Sequence, residues 1–127
     1  MRYDGAMEHS PRFEKLCSEV RANIEEISAE DVARRVSGGA GFHLIDVREE
    51  SELAKGRIPR SRHIGRGVLE RDIEKAIPDL DADIVLYCGG GYRSALSAES
   101  LKKMGYRNVK SMAGGWRGWT EKGLPTE

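Results

Sequence analysis

Two cysteines, Cys17 and Cys88, stand in a chain of 127 residues. They are too few and too far apart for a disulfide framework, and they match no zinc spacing. No metal centre is expected, and no residue pattern asks for a cofactor. A reducing cytoplasm is the expected setting, where one thiol can be reactive and the other inert. Net charge is also missing: Lys plus Arg is 21 and Asp plus Glu is 21. The chain as a whole therefore offers nucleic acid or an anionic membrane no general attraction. No apolar run approaches the ~20 residues that span a bilayer. The longest, Ile84 to Cys88, suits a buried strand. The opening MRYDGAMEHSPRFEK lacks an apolar core and is not read as a secretory signal.

What is present is an ordinary globular composition, 39% hydrophobic and 33% charged. The length is that of one domain, enough to bury about two thirds of the surface its unfolded form exposes. The first ten residues read as a loose tail. From Pro11, apolar residues Phe13, Leu16, Cys17, Val20 and Ile24 recur at helical spacing. Residues 1–25 are thus an N-terminal tail and helix, and residues 26–127 the main domain. There strand and helix alternate. Glu26–Ile27 is a short strand, and Ser28 with Asp31 forms a capping box opening a helix to Val36. Gly41–Asp46 is a buried strand, Glu49–Lys55 a short helix, Arg62–Ile64 a short strand and Val68–Ile77 a helix. Ile84–Tyr87 is a strong buried strand. A glycine turn leads to a helix from Ser94 to Met104, with Leu96, Leu101 and Met104 inward. Val109–Met112 is the last strand, and Trp116–Lys122 a last helical turn. This alternation predicts an α/β fold, a parallel sheet with helices on both faces, plus the extra N-terminal helix. Sites in such sheets lie beyond the carboxyl ends of the strands, where Asp46 and Cys88 both fall.

The informative segment is Cys88-Gly89-Gly90-Gly91-Tyr92-Arg93-Ser94. A buried strand delivers a cysteine to the sheet edge, and three glycines let the backbone curl so that N–H groups point inward. A nest at a helix start binds an anion, and a thiolate is one. The helix start and the guanidinium of Arg93 are both expected to lower the thiol pKa. The thiolate is the nucleophilic form. A phosphate-binding P-loop is excluded, because Tyr92-Arg93-Ser94 does not supply the required Lys followed by Ser or Thr.

With this loop in view, the chain resembles the rhodanese homology domain family. Leu44-Ile45-Asp46-Val47-Arg48-Glu49 resembles its first signature, and Gly56-Arg57-Ile58-Pro59 leading to His63-Ile64 its second. Cys88 with four residues before Arg93 resembles its active-site loop, and Gly114-Gly115-Trp116 followed by Trp119 its closing motif. The likeness runs from about Ile27 to Pro125. It implies a five-stranded, mostly parallel sheet with helices on both faces. It also implies a sulfurtransferase that takes sulfane sulfur from a donor such as thiosulfate, holds it as a persulfide on Cys88, and passes it to cyanide or a thiol. A protein acceptor is also possible within that chemistry. The family's loop residues fall on Gly89, Gly90, Gly91, Tyr92 and Arg93, whose N–H groups hold the terminal sulfur. Related phosphatases and arsenate reductases carry one residue more between Cys and Arg. The second signature departs from the family, with Arg57, Arg60 and Arg62 where His, Gly and a small apolar residue are usual.

Asp46 and Arg48 are expected to brace neighbouring loops. Arg93 has two roles open, donating to loop carbonyls and adding charge near Cys88. His63, His43 and Cys17 are read as packing residues. Two functions from different classes remain: an enzyme with free turnover, and a sulfur relay or partner-binding module without it. A phosphatase or arsenate reductase is a third, disfavoured by loop length.

Overall fold

A computed structural model describes residues 9–39 and 41–127. The start of the expected tail, residues 1–8, therefore lies outside the described residues. Helix α1 runs Pro11–Arg21, with the proline where no intrahelical N–H is needed. The strands are β1 (Glu25–Ile27), β2 (His43–Asp46), β3 (Arg62–His63), β4 (Ile84–Tyr87) and β5 (Val109–Met112). Between and after them come α2 (Ala29–Gly38), a 3₁₀ turn (Glu50–Lys55), α3 (Arg66–Ala76), α4 (Tyr92–Lys103) and α5 (Gly115–Glu121). All five strands form one sheet in the order β1-β5-β4-β2-β3. Every pairing is parallel, so the sheet is wholly and not mostly parallel.

β4 is the middle strand, and each of its four residues is fully buried. Its side chains alternate between two cores, as the period of a strand requires. Ile84, Leu86 and Cys88 join Leu69 and Ile73 of α3 and Ala98 and Leu101 of α4. Val85 and Tyr87 join Val32 of α2 and Trp119 of α5 on the opposite face. Burying each Val, Leu or Ile contributes roughly 1.5–3 kcal/mol. This two-sided burial fixes where the strand ends and hence where Cys88 stands.

Several sequence expectations shift. Ser28 does cap α2, its Oγ accepting from Asp31 N at 3.1 Å, but the reciprocal box belongs to Glu49 and Glu52 at the 3₁₀ turn. Asp31 is drawn instead to Arg34 along its own helix. α4 starts two residues early, and its buried face is Ser94, Ala95, Ser97, Ala98 and Leu101. Small side chains there let the helix lie close on β4, which turns Met104 outward. Leu16 likewise faces out, while Cys17 and Val20 pack inward. Two arginines of the second signature have partners: Arg57 faces Glu127, and Arg60 donates to the Val36 carbonyl. Arg60 adopts φ +70°, the left-handed region where the family places glycine.

Candidate active site

The chain leaves β4 at Tyr87 and turns at once. Val47 N donates to the Tyr87 carbonyl at 2.9 Å, so the ends of β2 and β4 are clamped side by side. Cys88 follows with its residue 1% exposed, at the floor of a cleft of about 370 Å³. Gly91 N donates to Cys88 Sγ at 3.1 Å and Ser94 N at 3.3 Å. Gly91 reaches this pose with φ +93°, as the residue before the first turn of α4. The expected nest is therefore built from the third glycine and the helix's own first turn. The sulfur also lies 3.5 Å from Ser94 Oγ, which is 2.8 Å from Ser111 Oγ on β5. A thiol donates to Ser94 Oγ in that arrangement. Once the thiol is ionised the hydroxyl can turn and donate to sulfur.

The loop is held from behind by the closing glycine segment. Trp116 N donates to the Cys88 carbonyl at 2.7 Å, and Arg117 N to the Gly89 carbonyl at 3.0 Å. Gly115 permits this approach. Its φ is +56°, and a β-carbon there would lie 2.5 Å from the Cys88 carbonyl oxygen.

Arg93 lines the cleft beside Cys88, as one of its two expected roles requires, but a carboxylate and not a loop carbonyl holds its guanidinium. Its guanidinium makes a two-pronged ion pair with Glu52, Nη1 to Oε1 at 2.7 Å and Nη2 to Oε2 at 3.0 Å. Glu52 Oε1 also accepts Glu49 N at 2.8 Å, so the 3₁₀ turn aims the carboxylate at the loop. The bond to Arg93 holds the Glu52 carboxyl below its usual range, and the bond to Glu52 raises Arg93. Sequence reading missed Glu52. The Glu49-x-x-Glu52 spacing, a capping pattern, was the available signal.

Asp46 and Arg48 lie together at the same sheet edge, 0% and 1% exposed. Arg48 Nη2 donates to Asp46 Oδ2 at 2.7 Å and to the Gly56 carbonyl at 2.9 Å. The guanidinium lies 4.7 Å from the Trp116 ring centre, which links the first signature to the closing one. His63 Nε2 sits 2.7 Å from the Arg48 carbonyl, occupied in packing. Tyr87 OH accepts Ile58 N at 3.2 Å and pairs with Ser61 Oγ at 3.1 Å. Burial pushes that phenol up to about 12, so it remains a neutral hydrogen-bonding group. Cys17 is fully buried on α1, and burial raises its thiol.

Residues 28–122 match the model of the rhodanese-like domain. The chain belongs to that family. Among rhodanese relatives, a "Sulfurtransferase" of Allochromatium vinosum is 31% identical over 80% of this chain and 94% of its own length. A Bacillus subtilis protein named "Putative sulfur carrier protein YrkF" is 35% identical over 83% of this chain, which spans 56% of that longer protein. Among solved rhodanese-like structures, a Rhodopseudomonas palustris protein bearing the words "Possible Tyrosine Phosphatase" superposes with a TM-score of 0.84. It is 29% identical and covers 96% of this chain and 100% of its own. At the level of the family, the relatives are sulfurtransferases and sulfur carriers.

Proposed function

We propose that this chain is a sulfurtransferase whose Cys88 carries sulfane sulfur as a persulfide. The observation that carries the reading is the convergence of Gly91 N–H and Ser94 N–H on Cys88 Sγ at the floor of an open cleft. Backbone donors aimed at a sulfur stabilise the anion that attacks and the persulfide anion that results. With thiosulfate, the Cys88 thiolate attacks the outer sulfur. The sulfur–sulfur bond of thiosulfate breaks, and sulfite leaves with the electron pair. A thiolate or cyanide then attacks the terminal sulfur of the persulfide, and the Cys88 thiolate is released. Each half-reaction exchanges one nucleophile for another, so no external oxidant or reductant enters.

In this reading Gly89, Gly90, Gly91, Tyr92 and Arg93 form the sulfur cradle, with Arg93 held in place by Glu52. Asp46 and Arg48 support the loop without touching the sulfur. A small-molecule donor and a thiol or cyanide acceptor are the expected partners, in a reducing cytoplasm that keeps Cys17 and Cys88 free. The name of the Bacillus relative favours a protein acceptor as a second use of the same persulfide. Only four residues separate Cys88 from Arg93. A cradle of that size fits one terminal sulfur, whereas a transferring phosphoryl group needs donors around three equatorial oxygens.

The test is incubation with thiosulfate, followed by mass spectrometry of the Cys88 peptide and by cyanide-dependent thiocyanate release. The peptide should gain the mass of one sulfur atom, and Cys88→Ser should abolish both signals while the protein still folds. Aryl phosphate hydrolysis as fast as sulfur transfer would instead support the phosphatase reading.

A further inference from the structure

The cleft over Cys88 has a wall that the family resemblance does not account for. Helix α1 lies outside the stretch matching the rhodanese-like domain and packs against α4. His9, which precedes the helix cap, and Phe13 in the first turn reach the cleft and meet Tyr92 of the sulfur loop. The His9 ring centre is 4.2 Å from that of Tyr92 and 5.1 Å from that of Phe13. Phe13 and Tyr92 stack at 5.6 Å. The far end of α1 is tied to the same loop. Arg21 Nη2 donates to the Gly91 carbonyl at 3.3 Å, and its guanidinium lies 4.4 Å from the Tyr92 ring centre.

Arginines also line the cleft. Arg117 follows the closing motif, and its Nη1 lies 3.4 Å from where a β-carbon on Gly90 would stand. Arg93 is neutralised by Glu52, but among the described residues Arg117 has no carboxylate within ion-pair distance. The cleft therefore combines an aromatic wall with a cation over Cys88, and Arg117 and Tyr92 meet beside Gly90. Its volume, about 370 Å³, falls in the range of sites for small organic molecules, about 300–1,000 Å³.

We infer that His9, just before α1, and Phe13 on α1 are specificity-determining residues, which with Tyr92 and Arg117 select an organic sulfur donor carrying a flat apolar group beside an anionic head. The inference rests on the sulfur-transfer reading and deepens it. An aromatic thiosulfonate has the required shape. Its ring lies against His9, Phe13 and Tyr92, its oxygens face Arg117, and its outer sulfur reaches Cys88. The Cys88 thiolate forms a bond to that sulfur, the sulfur–sulfur bond of the donor breaks, and an aryl sulfinate leaves with the electron pair. Inorganic thiosulfate and a methyl thiosulfonate offer the same outer sulfur without the ring.

The experiment measures Cys88 persulfide formation in the full chain with benzenethiosulfonate, methanethiosulfonate and thiosulfate, in the native protein and in Phe13→Ala. The aryl-over-methyl preference should fall about 5- to 10-fold in the variant, the size of an aromatic contact expressed as a rate ratio. Using the ratio cancels the donors' intrinsic reactivities. An unchanged ratio overturns the role of α1 and leaves sulfur transfer standing. Failure of all three donors to load Cys88 overturns the sulfur-transfer reading and the inference with it. A second measurement needs neither a variant nor turnover: protection of Cys88 in the native protein against iodoacetamide. Benzenesulfonate should protect at about tenfold lower concentration than methanesulfonate. Equal protection by the two overturns the inference.

Discussion

The two thiols have the same chemistry and opposite surroundings. Cys17 is sealed between α1 and the core, and burial raises its pKa. Cys88 opens onto the cleft and receives two backbone N–H groups. Iodoacetamide at neutral pH should therefore modify Cys88 first, and Cys17 only after unfolding. Peptide mapping over time reads this directly, and faster labelling of Cys17 would reverse the assignment. Glu52 is the residue on which the setting of Arg93 turns. Its carboxyl is lowered in the folded state by Arg93, so the pair contributes stability above the unfolded carboxyl pKa and loses it as pH falls through the lowered folded value. Glu52→Gln should lower stability at neutral pH by no more than about 1 kcal/mol, because such partly exposed pairs are screened. The gap between native and variant melting temperatures should narrow in acid and close once pH falls through the lowered folded value. A gap that persists in acid would mean the side chain acts by packing and not by charge.

At the scale of elements, the loop depends on the start of α5 as much as on β4 and α4. Trp116 N and Arg117 N satisfy the carbonyls of Cys88 and Gly89, and only a glycine at 115 leaves room for them. Gly115→Ala places a β-carbon 2.5 Å from the Cys88 carbonyl oxygen at a φ of +56°. The cost should be on the order of 2–4 kcal/mol, from backbone strain and overpacking together. A lowered urea midpoint and a loss of sulfur loading that exceeds the loss of fold are the expected readouts. The closing motif was legible in the sequence as a motif. Its job was not, because two hydrogen bonds between segments 28 residues apart leave no periodicity to read.

The whole molecule converges on one edge of the sheet. Asp46 ends β2, Cys88 follows β4, and the buried Arg48 joins Asp46 to Gly56 and Trp116. Removing one charge of such a pair leaves the other buried and unpaired, at a cost of roughly 3–5 kcal/mol. Asp46→Asn should accordingly lower the melting temperature markedly, while the molecules that remain folded still load sulfur on Cys88. Loss of turnover with an unchanged melting temperature would make Asp46 a participant in the chemistry.

The sequence by itself determined the order of strands and helices, because β4 is apolar throughout and the helices carry their own starts and stops. It determined that Cys88 would stand at a strand's carboxyl end before a glycine turn, since burial of Ile84–Tyr87 sets the strand and glycine ends it. Local pattern was enough for these, because each depends on neighbours a few residues away. Tertiary structure alone decided which of the arginines lining the cleft has a carboxylate partner among the described residues. It turned Arg93 to Glu52, across 41 residues, and set Arg117 in the lining of the same cleft. It also decided that α1, read as a helix outside the main domain, carries Phe13 to the cleft, with His9 just before it. Ion pairs and ring contacts of this kind fall off within a few ångströms. They are therefore fixed by how elements pack against each other, a distance that no spacing along the chain encodes.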